Sequence, residues 1–186
     1  EKKAYQFSRQ MTWSNVAFKH LSTFNRIVKL REEKMEKFPE IKLNHLYTLT
    51  DNIGITQFAK HSTPDKSTGY KLDDNARALI ASVIHNRLFR QKETNKLSLI
   101  YMDFIENAQE NSGIFKNCFG NENEMIDPYS EDAFGRTMMA CGYAFANTDD
   151  KLVKQIAKNI FQKGLYFVSK LVSLRSKAFT ISRLYY

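Results

Sequence analysis

The sequence predicts an all-α fold of stacked helical hairpins, arranged as a partial α/α toroid or a helical solenoid. Apolar residues recur every three or four positions through most of the chain, which is the period of an amphipathic helix. Glycine and proline are scarce, at 7 and 3 of 186 residues. Two predicted helix starts, at 72–82 and 130–141, share a pattern of two acids followed one turn later by a basic residue. This repeat predicts inner helices rich in small residues that alternate with long amphipathic outer helices.

Seven segments carry helical signals. They span 12–37, 43–49, 73–90, 94–109, 131–147, 149–171 and 176–186. Thr12 or Ser14 is suited to cap the first helix, and Pro39 ends it. Asp73 or Asp74 is predicted to cap the third helix, because a short acidic side chain accepts hydrogen bonds from the free N–H groups of a first turn.

Three segments between the helices lack a helical pattern. Residues 50–69 are polar and are interrupted by glycine and proline, so they predict a long loop, and loops of this length are often functional. Residues 113–120 alternate apolar and polar side chains and predict a short β-hairpin. Residues 121–130 predict an acidic, asparagine-rich loop.

Composition argues against several classes of function, namely nucleic-acid binding, a membrane-spanning role and the use of a metal or cofactor. The net charge is +8, but lysines are spread over nearly every segment and glutamates neutralise most of the one charge run at 29–37, so a nucleic-acid partner is not expected. No apolar stretch approaches the roughly 20 residues of a membrane span. Cys118 and Cys141 are expected to be reduced core thiols, which indicates a cytoplasmic protein. The histidines lack the spacing of metal ligands, so no metal and no cofactor are expected.

The first candidate site lies where the third helix begins. Asp73 and Asp74 are adjacent acids at a helix N-terminus, which favours ionised carboxylates, and Arg77 follows one turn later. Two carboxylates in one pocket, one with a raised pKa and one ionised, are what cleavage of a glycosidic bond requires. Tyr70 and Asn75 flank the pair as candidate substrate-binding residues, with Tyr70 as a stacking face for a sugar ring. The simpler alternative is that Asp73 caps the helix and Asp74 pairs with Arg77.

The second candidate site has the same pattern at the start of the fifth helix. Glu131 and Asp132 precede Arg136, whose guanidinium is suited to hold a carboxylate or the polar edge of a sugar. Tyr129 and Phe134 are further candidate stacking faces. Since the loops before the inner helices of a toroid meet at one mouth, all four carboxylates are expected to line one cleft. The alternative is again a cap and a local ion pair.

His61 is a third candidate, for substrate binding, in the middle of the loop at 51–71. A single histidine is more often a surface or packing residue than a catalyst. Neither cysteine has a local histidine partner, so a cysteine nucleophile is not expected. The sequence contains no phosphate-binding P-loop, dinucleotide-binding or serine-hydrolase motif.

At these residues the sequence resembles a known family. Residues 51–80, which contain D-D-N-A-R-A-L, are similar to a segment of bacterial carbohydrate-active proteins commonly written T-D-D-N-A-R-A-L, and 130–144 resemble their second motif, S-E-D-S-H-G-R. In those proteins a two-lobed retaining glycosyltransferase precedes an α/α-toroid domain of the six-hairpin glycosidase superfamily. Residues 4–30 resemble the last helix of the transferase. The resemblance implies a connecting helix at 1–38, followed by the first half of the toroid at 39–186.

The chain departs from the family pattern in its motifs and in its length. Phe134 stands where the second motif has histidine, and Lys71 and Leu72 stand where the first usually has cysteine and threonine. A polar active-site group is therefore absent. A complete toroid of about twelve helices needs more than roughly 300 residues. We therefore expect an open apolar flank, which a second copy of the chain or another chain covers.

These observations predict a carbohydrate-active domain of a glycosyltransferase-associated protein that acts on or binds an oligosaccharide, with mannose-containing glycans suggested by the resemblance. If the domain is catalytic, Asp73 or Asp74 and Glu131 or Asp132 would act as acid and base, or as acid and nucleophile. The alternatives are a non-catalytic glycan-binding module and a helical-repeat interaction protein. A sugar cleft should keep the acids close together and accessible, whereas a scaffold should bury them as caps or hold them apart.

Overall fold

A computed structural model shows how the chain folds. It describes residues 11–27, 40–120, 125–127, 129–182 and 184. The chain forms two compact units, Glu1–Ile41 and Lys42–Tyr186. The first unit contains helix α1, Trp13–Ile27. The continuation of the first predicted helix over 28–37 lies outside the described residues.

The second unit contains six further described helices and five short strands. The helices are α2 (Asn44–Leu49), α3 (Leu72–Phe89), α4 (Lys92–Ala108), α5 (Glu131–Asn147), α6 (Lys151–Val168) and α7 (Leu174–Ile181). The strands are β1 (Ala59–Lys60), β2 (Thr63–Pro64), β3 (Tyr70–Lys71), β4 (Cys118–Phe119) and β5 (Met125–Asp127). Among the described helices, none combines the length and the hydropathy of a bilayer-spanning segment.

The helices of the second unit stack as hairpins in two layers. Helix α3 contacts α4 and α5, α5 contacts α6 and α7, and α4 contacts α6. The inner layer is therefore α3, α5 and α7, and the outer layer is α4 and α6. The prediction of an all-α fold of stacked helical hairpins is confirmed.

The strands form two small antiparallel sheets beside the helices. Strands β1 and β2 pair within the predicted loop at 50–69. Strand β4 lies between β3 and β5, with Tyr70 opposite Phe119 and Cys118 opposite Asp127. The short β-structure predicted near 113–120 is thus present, and its strand partners come from outside that segment.

Side-chain caps define the starts of three helices, but not of α3. Ser130 accepts a hydrogen bond from the Ala133 N–H at the start of α5, and Asp150 and Ser173 cap α6 and α7 in the same way. Lys71 occupies the cap position of α3 and makes no side-chain capping hydrogen bond. The prediction that Asp73 or Asp74 caps this helix is therefore wrong, because the helix begins one residue earlier and both acids lie in its first turn.

The core lies between the two helix layers and is made of aliphatic and aromatic side chains. Leu79, Tyr101, Phe134 and Met138 are all fully buried. Phe115 and Phe134 meet edge to face, with ring centroids 5.4 Å apart. The core therefore joins α3, α4 and α5 to the segment before β4.

The two cysteines belong to this core. Cys118 on β4 and Cys141 on α5 are both buried thiols, as the sequence predicts. Burial raises the pKa of the Cys141 thiol to about 12, so it forms no reactive thiolate near neutral pH.

We expect Gly135→Ala to destabilise the fold at the contact between α5 and α7. A Cβ atom at Gly135 would lie 2.7 Å from the Cα and 2.9 Å from the carbonyl oxygen of Ser176. Backbone atoms cannot move aside without shifting a helix, so the overpacking should exceed the gain in helix propensity. A net loss of about 1–2 kcal/mol in the free energy of unfolding is expected by urea titration.

Gly164→Ala is the matched control for this test. Its Cβ atom would meet the end of the Met138 side chain, which is flexible and can move. This variant should therefore lose less stability than Gly135→Ala. Wild-type stability of Gly135→Ala would contradict the close approach of α5 and α7.

Candidate functional site

The first acidic pair lies in the first turn of α3, and one arginine holds both of its members. Arg77 donates hydrogen bonds from Nη2 to Asp73 Oδ2 at 2.6 Å and from Nη1 to Asp74 Oδ1 at 2.7 Å. The side chains are 21%, 28% and 50% exposed for Asp73, Asp74 and Arg77. The pair is therefore accessible from solvent beside a shared cation.

A second charged corner, the counterpart of the one formed by Asp73, Asp74 and Arg77, is centred on Asp132 in the first turn of α5. Its Oδ2 accepts a hydrogen bond from Arg136 Nε at 2.7 Å. Its Oδ1 lies 2.8 Å from Nε of Arg175, which belongs to the first turn of α7. Asp132 thus joins two inner helices while its own side chain stays 31% exposed.

The two corners belong to one surface. Helices α3 and α5 pack side by side, and the positive charge of Arg77 on α3 acts on Asp132 on α5. The N-terminal parts of α3 and α5 are therefore near enough for their charges to interact, and the ion pair with Arg175 joins the start of α7 to Asp132. The charged residues of these three helix starts form what we call the charged row: Asp73, Asp74, Arg77, Asp132, Arg136 and Arg175.

Asp74 and Asp132 have pKa values shifted in opposite directions. Burial raises the pKa of Asp74, against the opposing charge of Arg77. Burial acts in the same sense on Asp132, but the hydrogen bond from Arg136 and the charges of Arg136, Arg175 and Arg77 outweigh it, so the pKa is lowered. One carboxyl group is thus biased toward its protonated form and the other toward its ionised form.

Glu131 does not belong to the charged row. Its carboxylate accepts hydrogen bonds from the backbone N–H groups of Val172 and Ser173, at the turn before α7. These hydrogen bonds lower the pKa of Glu131. The predicted catalytic role of Glu131 is therefore replaced by a structural one, in which it fastens the loop between α6 and α7.

Tyr70 and Asn75 are structural as well, which corrects their prediction as substrate-binding residues. Both are fully buried. The Tyr70 hydroxyl donates to Asp51 Oδ2 at 2.7 Å. Asn75 Oδ1 accepts from the Ile55 N–H at 3.0 Å, and its Nδ2 donates to the Lys71 carbonyl at 2.9 Å. Because their polar atoms are already paired, the two side chains hold the segment before α3 in place.

The two other predicted stacking faces differ in accessibility. Phe134 is fully buried and packs 5.5 Å from the ring of Phe167, so the prediction that it stacks on a sugar is wrong. Tyr129 is half-buried and meets Phe167 edge to face at 5.8 Å. Burial and the charge of Glu131 raise the pKa of Tyr129 to about 12, so its hydroxyl stays protonated. Tyr129 remains a candidate contact residue.

The described contacts of His61 do not include the acidic residues of the charged row. It is exposed in the turn between β1 and β2, where its backbone has a positive φ of 57°. Among the described residues it makes no hydrogen bond or ion pair with the charged row. The structure therefore does not bring His61 together with the other predicted site residues.

An open concavity of about 320 Å³ adjoins the charged row. Asp74 and Arg77 form its polar edge. Leu46 and Leu49 of α2, together with Ile55, supply apolar surface. Sequence reasoning did not assign α2 to the site, because α2 and α3 line the same concavity although they lie far apart in the chain.

A larger concavity, of about 480 Å³, lies where the corner between α3 and α4 meets the start of α6. It holds none of the predicted site residues. Asp150 in its wall caps α6 and accepts from Asn95 Nδ2 at 2.7 Å. Because Asp150 is engaged in these two structural contacts, the charged row is the stronger candidate for chemistry.

Arg175 is the member of the charged row that sequence reasoning missed. The segment 174–185 has the small and apolar texture of the other inner helices but lacks their acids. Its signal was the position of Arg175 in the first turn after the Ser173 cap. A basic residue there matches the basic residues near the starts of α3 and α5.

Comparison with known proteins gives no family model and no curated protein that matches this sequence. Within the described residues no group of three or more histidine, cysteine, aspartate or glutamate side chains is placed to hold a metal ion. The carbohydrate interpretation is therefore carried by the motif resemblance and by the geometry of the charged row.

Asp74→Asn and Asp132→Asn are expected to change stability in opposite directions at pH 7. The folded pKa of Asp74 is raised, so its ionised form opposes folding above that pKa, and the neutral amide should stabilise the fold. The folded pKa of Asp132 is lowered, so its ionised form stabilises the fold above the unfolded pKa of about 4, and the amide should destabilise. Each effect should stay within about 1 kcal/mol, because both side chains are partly exposed.

Urea unfolding at pH 7, 5 and 3 measures these effects. Both differences from the wild type should shrink as the pH falls and the carboxyl groups become protonated. Asp103→Asn, which changes an exposed aspartate on α4, is the matched control. Shifts of the same sign for Asp74→Asn and Asp132→Asn would contradict the assignment.

Proposed function

We propose that the charged row binds an oligosaccharide and that its aspartates hydrolyse a glycosidic bond. The proposal rests on the juxtaposition of Asp74, with its raised pKa, and Asp132, with its lowered pKa, on neighbouring inner helices. Glycosidic cleavage uses one protonated carboxyl group and one ionised carboxylate. The aspartates are partly exposed and cap no helix, which favours a cleft over a plain scaffold.

Each carboxyl group has a distinct role in this proposal. Asp74 protonates the leaving oxygen, because its pKa is raised. Asp132 acts as the base that activates water or as the nucleophile. A carboxyl separation of about 6.5–9.5 Å would give inversion of the sugar configuration, and about 5–5.5 Å would give retention. Arg77 and Arg136 orient the sugar hydroxyl groups by donating hydrogen bonds.

The concavity beside Asp74 supports this proposal by offering room for a sugar ring. A pyranose has a polar edge and an apolar face. Asp74 and Arg77 provide polar partners, and the apolar surface of Leu46, Leu49 and Ile55 complements the ring face. The ring would then lie with its glycosidic oxygen toward Asp74.

A non-catalytic glycan-binding module is the second candidate. Its supporting observation is that each aspartate of the charged row is already paired with an arginine. The buried Phe134, which stands where the resembled motif has a polar histidine, favours it too. Under this candidate the same surface binds the sugar and leaves its bonds intact.

The kind of protein to which the chain belongs, its compartment and its partner chain are also part of the proposal. We place the chain in a bacterial, glycosyltransferase-associated protein of the cytoplasm that acts on mannose-containing glycans. A second copy or another chain would cover the end of the helix stack at α7. Val172 and Leu174 support this placement, because they are 82% and 81% exposed where α7 begins.

An oligosaccharide panel tests the proposed function. Purified protein is incubated with α- and β-linked manno-, gluco- and xylo-oligosaccharides, and binding and product release are measured separately. The wild-type protein is expected to release a hydrolysis product from at least one oligosaccharide of the panel. Asp74→Asn and Asp132→Asn should each reduce it by about 10²–10⁴-fold, as expected for loss of an acid or base, while binding changes little.

Asp103→Asn on α4 is the matched control and should release product at the wild-type rate. Binding without release would favour the glycan-binding module. Neither binding nor release from a folded sample would contradict the carbohydrate proposal. Release that survives in the double variant Asp74→Asn, Asp132→Asn would show that the carboxyl assignment is wrong.

A further inference from the structure

Helix α1 carries a large apolar stripe. The helix has no buried residue. Its large apolar side chains are highly exposed, at 89% for Trp13, 72% for Phe18, 53% for Leu21, 53% for Phe24 and 76% for Ile27. All but Phe18 fall on one side of the helix by their spacing. A continuous apolar stripe of this kind marks an interaction surface.

The opposite side of α1 is polar and cationic. Lys19 and Arg26 are two helical turns apart and therefore share a side. Serine, threonine and asparagine fill much of the remaining polar side, and residues 11–27 contain no aspartate or glutamate. Bulky apolar residues opposite a cationic polar side are typical of a helix that lies in a membrane interface.

We propose that α1 binds the surface of an anionic lipid bilayer. Trp13, Leu21, Phe24 and Ile27 would enter the boundary between headgroups and acyl chains, while the basic side chains on the opposite side of the helix lie at the level of the anionic headgroups. Because Lys19, Arg26 and several hydroxyl and amide side chains line its opposite side, the helix lies in the plane of the membrane interface and does not cross the bilayer.

The charge pattern favours lipid over a second copy of the helix. In a pair of α1 helices, Lys19 and Arg26 would meet no carboxylate from the partner helix, because residues 11–27 contain none. An anionic lipid surface supplies negative charge along the whole helix. None of the residues of the charged row belongs to α1, so the lipid proposal stands independently of the proposed carbohydrate function.

The test uses the intrinsic fluorescence of the full chain. Trp13 is the sole tryptophan of the protein, so the emission reports on α1. Titration with vesicles of equal parts phosphatidylcholine and phosphatidylglycerol should shift the emission to shorter wavelength and protect it from an aqueous quencher. Vesicles of phosphatidylcholine alone should bind about tenfold or more weakly.

Two pairs of matched variants separate charge from apolar contact. The double variant Lys19→Gln, Arg26→Gln should weaken vesicle binding by about 30-fold. The double variant Lys151→Gln, Lys158→Gln on α6 changes the net charge equally and should leave binding unchanged.

Removal of an aromatic ring gives the second comparison. Phe24→Ala should weaken binding by about tenfold or more. Phe58→Ala removes an equally exposed ring from the second unit, 59% against 53%, and should have no effect.

Three results would overturn the proposal. The first is an emission that does not change with the anionic vesicles. The second is an equal loss of vesicle binding in the Lys19→Gln, Arg26→Gln variant and in the Lys151→Gln, Lys158→Gln variant. The third is a blue shift that grows with protein concentration without lipid, which would assign the stripe to a second copy of the chain.

Discussion

The packing of α5 is the constraint on which the rest of the second unit depends, because this helix contacts α3, α6 and α7 at once. Such contacts require small side chains. Ala133, Ala140 and Ala144 are fully buried along α5, and Gly135 leaves no room for a Cβ atom beside Ser176. Small residues bring the helix backbones close together. The first turns of the inner helices are brought together as a result, and with them their charges.

The charges then distribute unequally between the two corners. At α3 one guanidinium, that of Arg77, serves two carboxylates. At α5 two guanidinium groups, those of Arg136 and Arg175, serve the single carboxylate of Asp132. Burial and the neighbouring charge of Asp73 raise the pKa of Asp74 against this single guanidinium, whereas the hydrogen bond from Arg136 and the charges of the arginines outweigh burial at Asp132 and lower its pKa. The opposite pKa shifts therefore follow from burial on α3 and from the arginines that face Asp132, one of which α7 supplies.

Local features of the fold could be predicted from the sequence, and long-range ones could not. The bounds of α5 were predicted correctly, because the Ser130 cap and the apolar period are local signals. The spacing of Asp132 and Arg136 likewise predicts their ion pair. In contrast, Glu131 meets the N–H of Val172, 41 residues later, and no spacing rule reveals such a contact. The burial of Tyr70 was missed for the same reason, since it depends on Asp51 and on pairing with β4.

The acidic motif of α3 combines two functions in adjacent residues. Tyr70 and Asn75 point inward and bind the segment before the helix, through Asp51 and Ile55. Asp74 and Arg77 line the concavity, and Asp73 lies beside them, paired with Arg77. Because helical positions one or two residues apart point in different directions, one short stretch can build the wall of the concavity and supply its charged edge. A change at a buried position such as Asn75 would therefore displace the wall even though it touches no ligand.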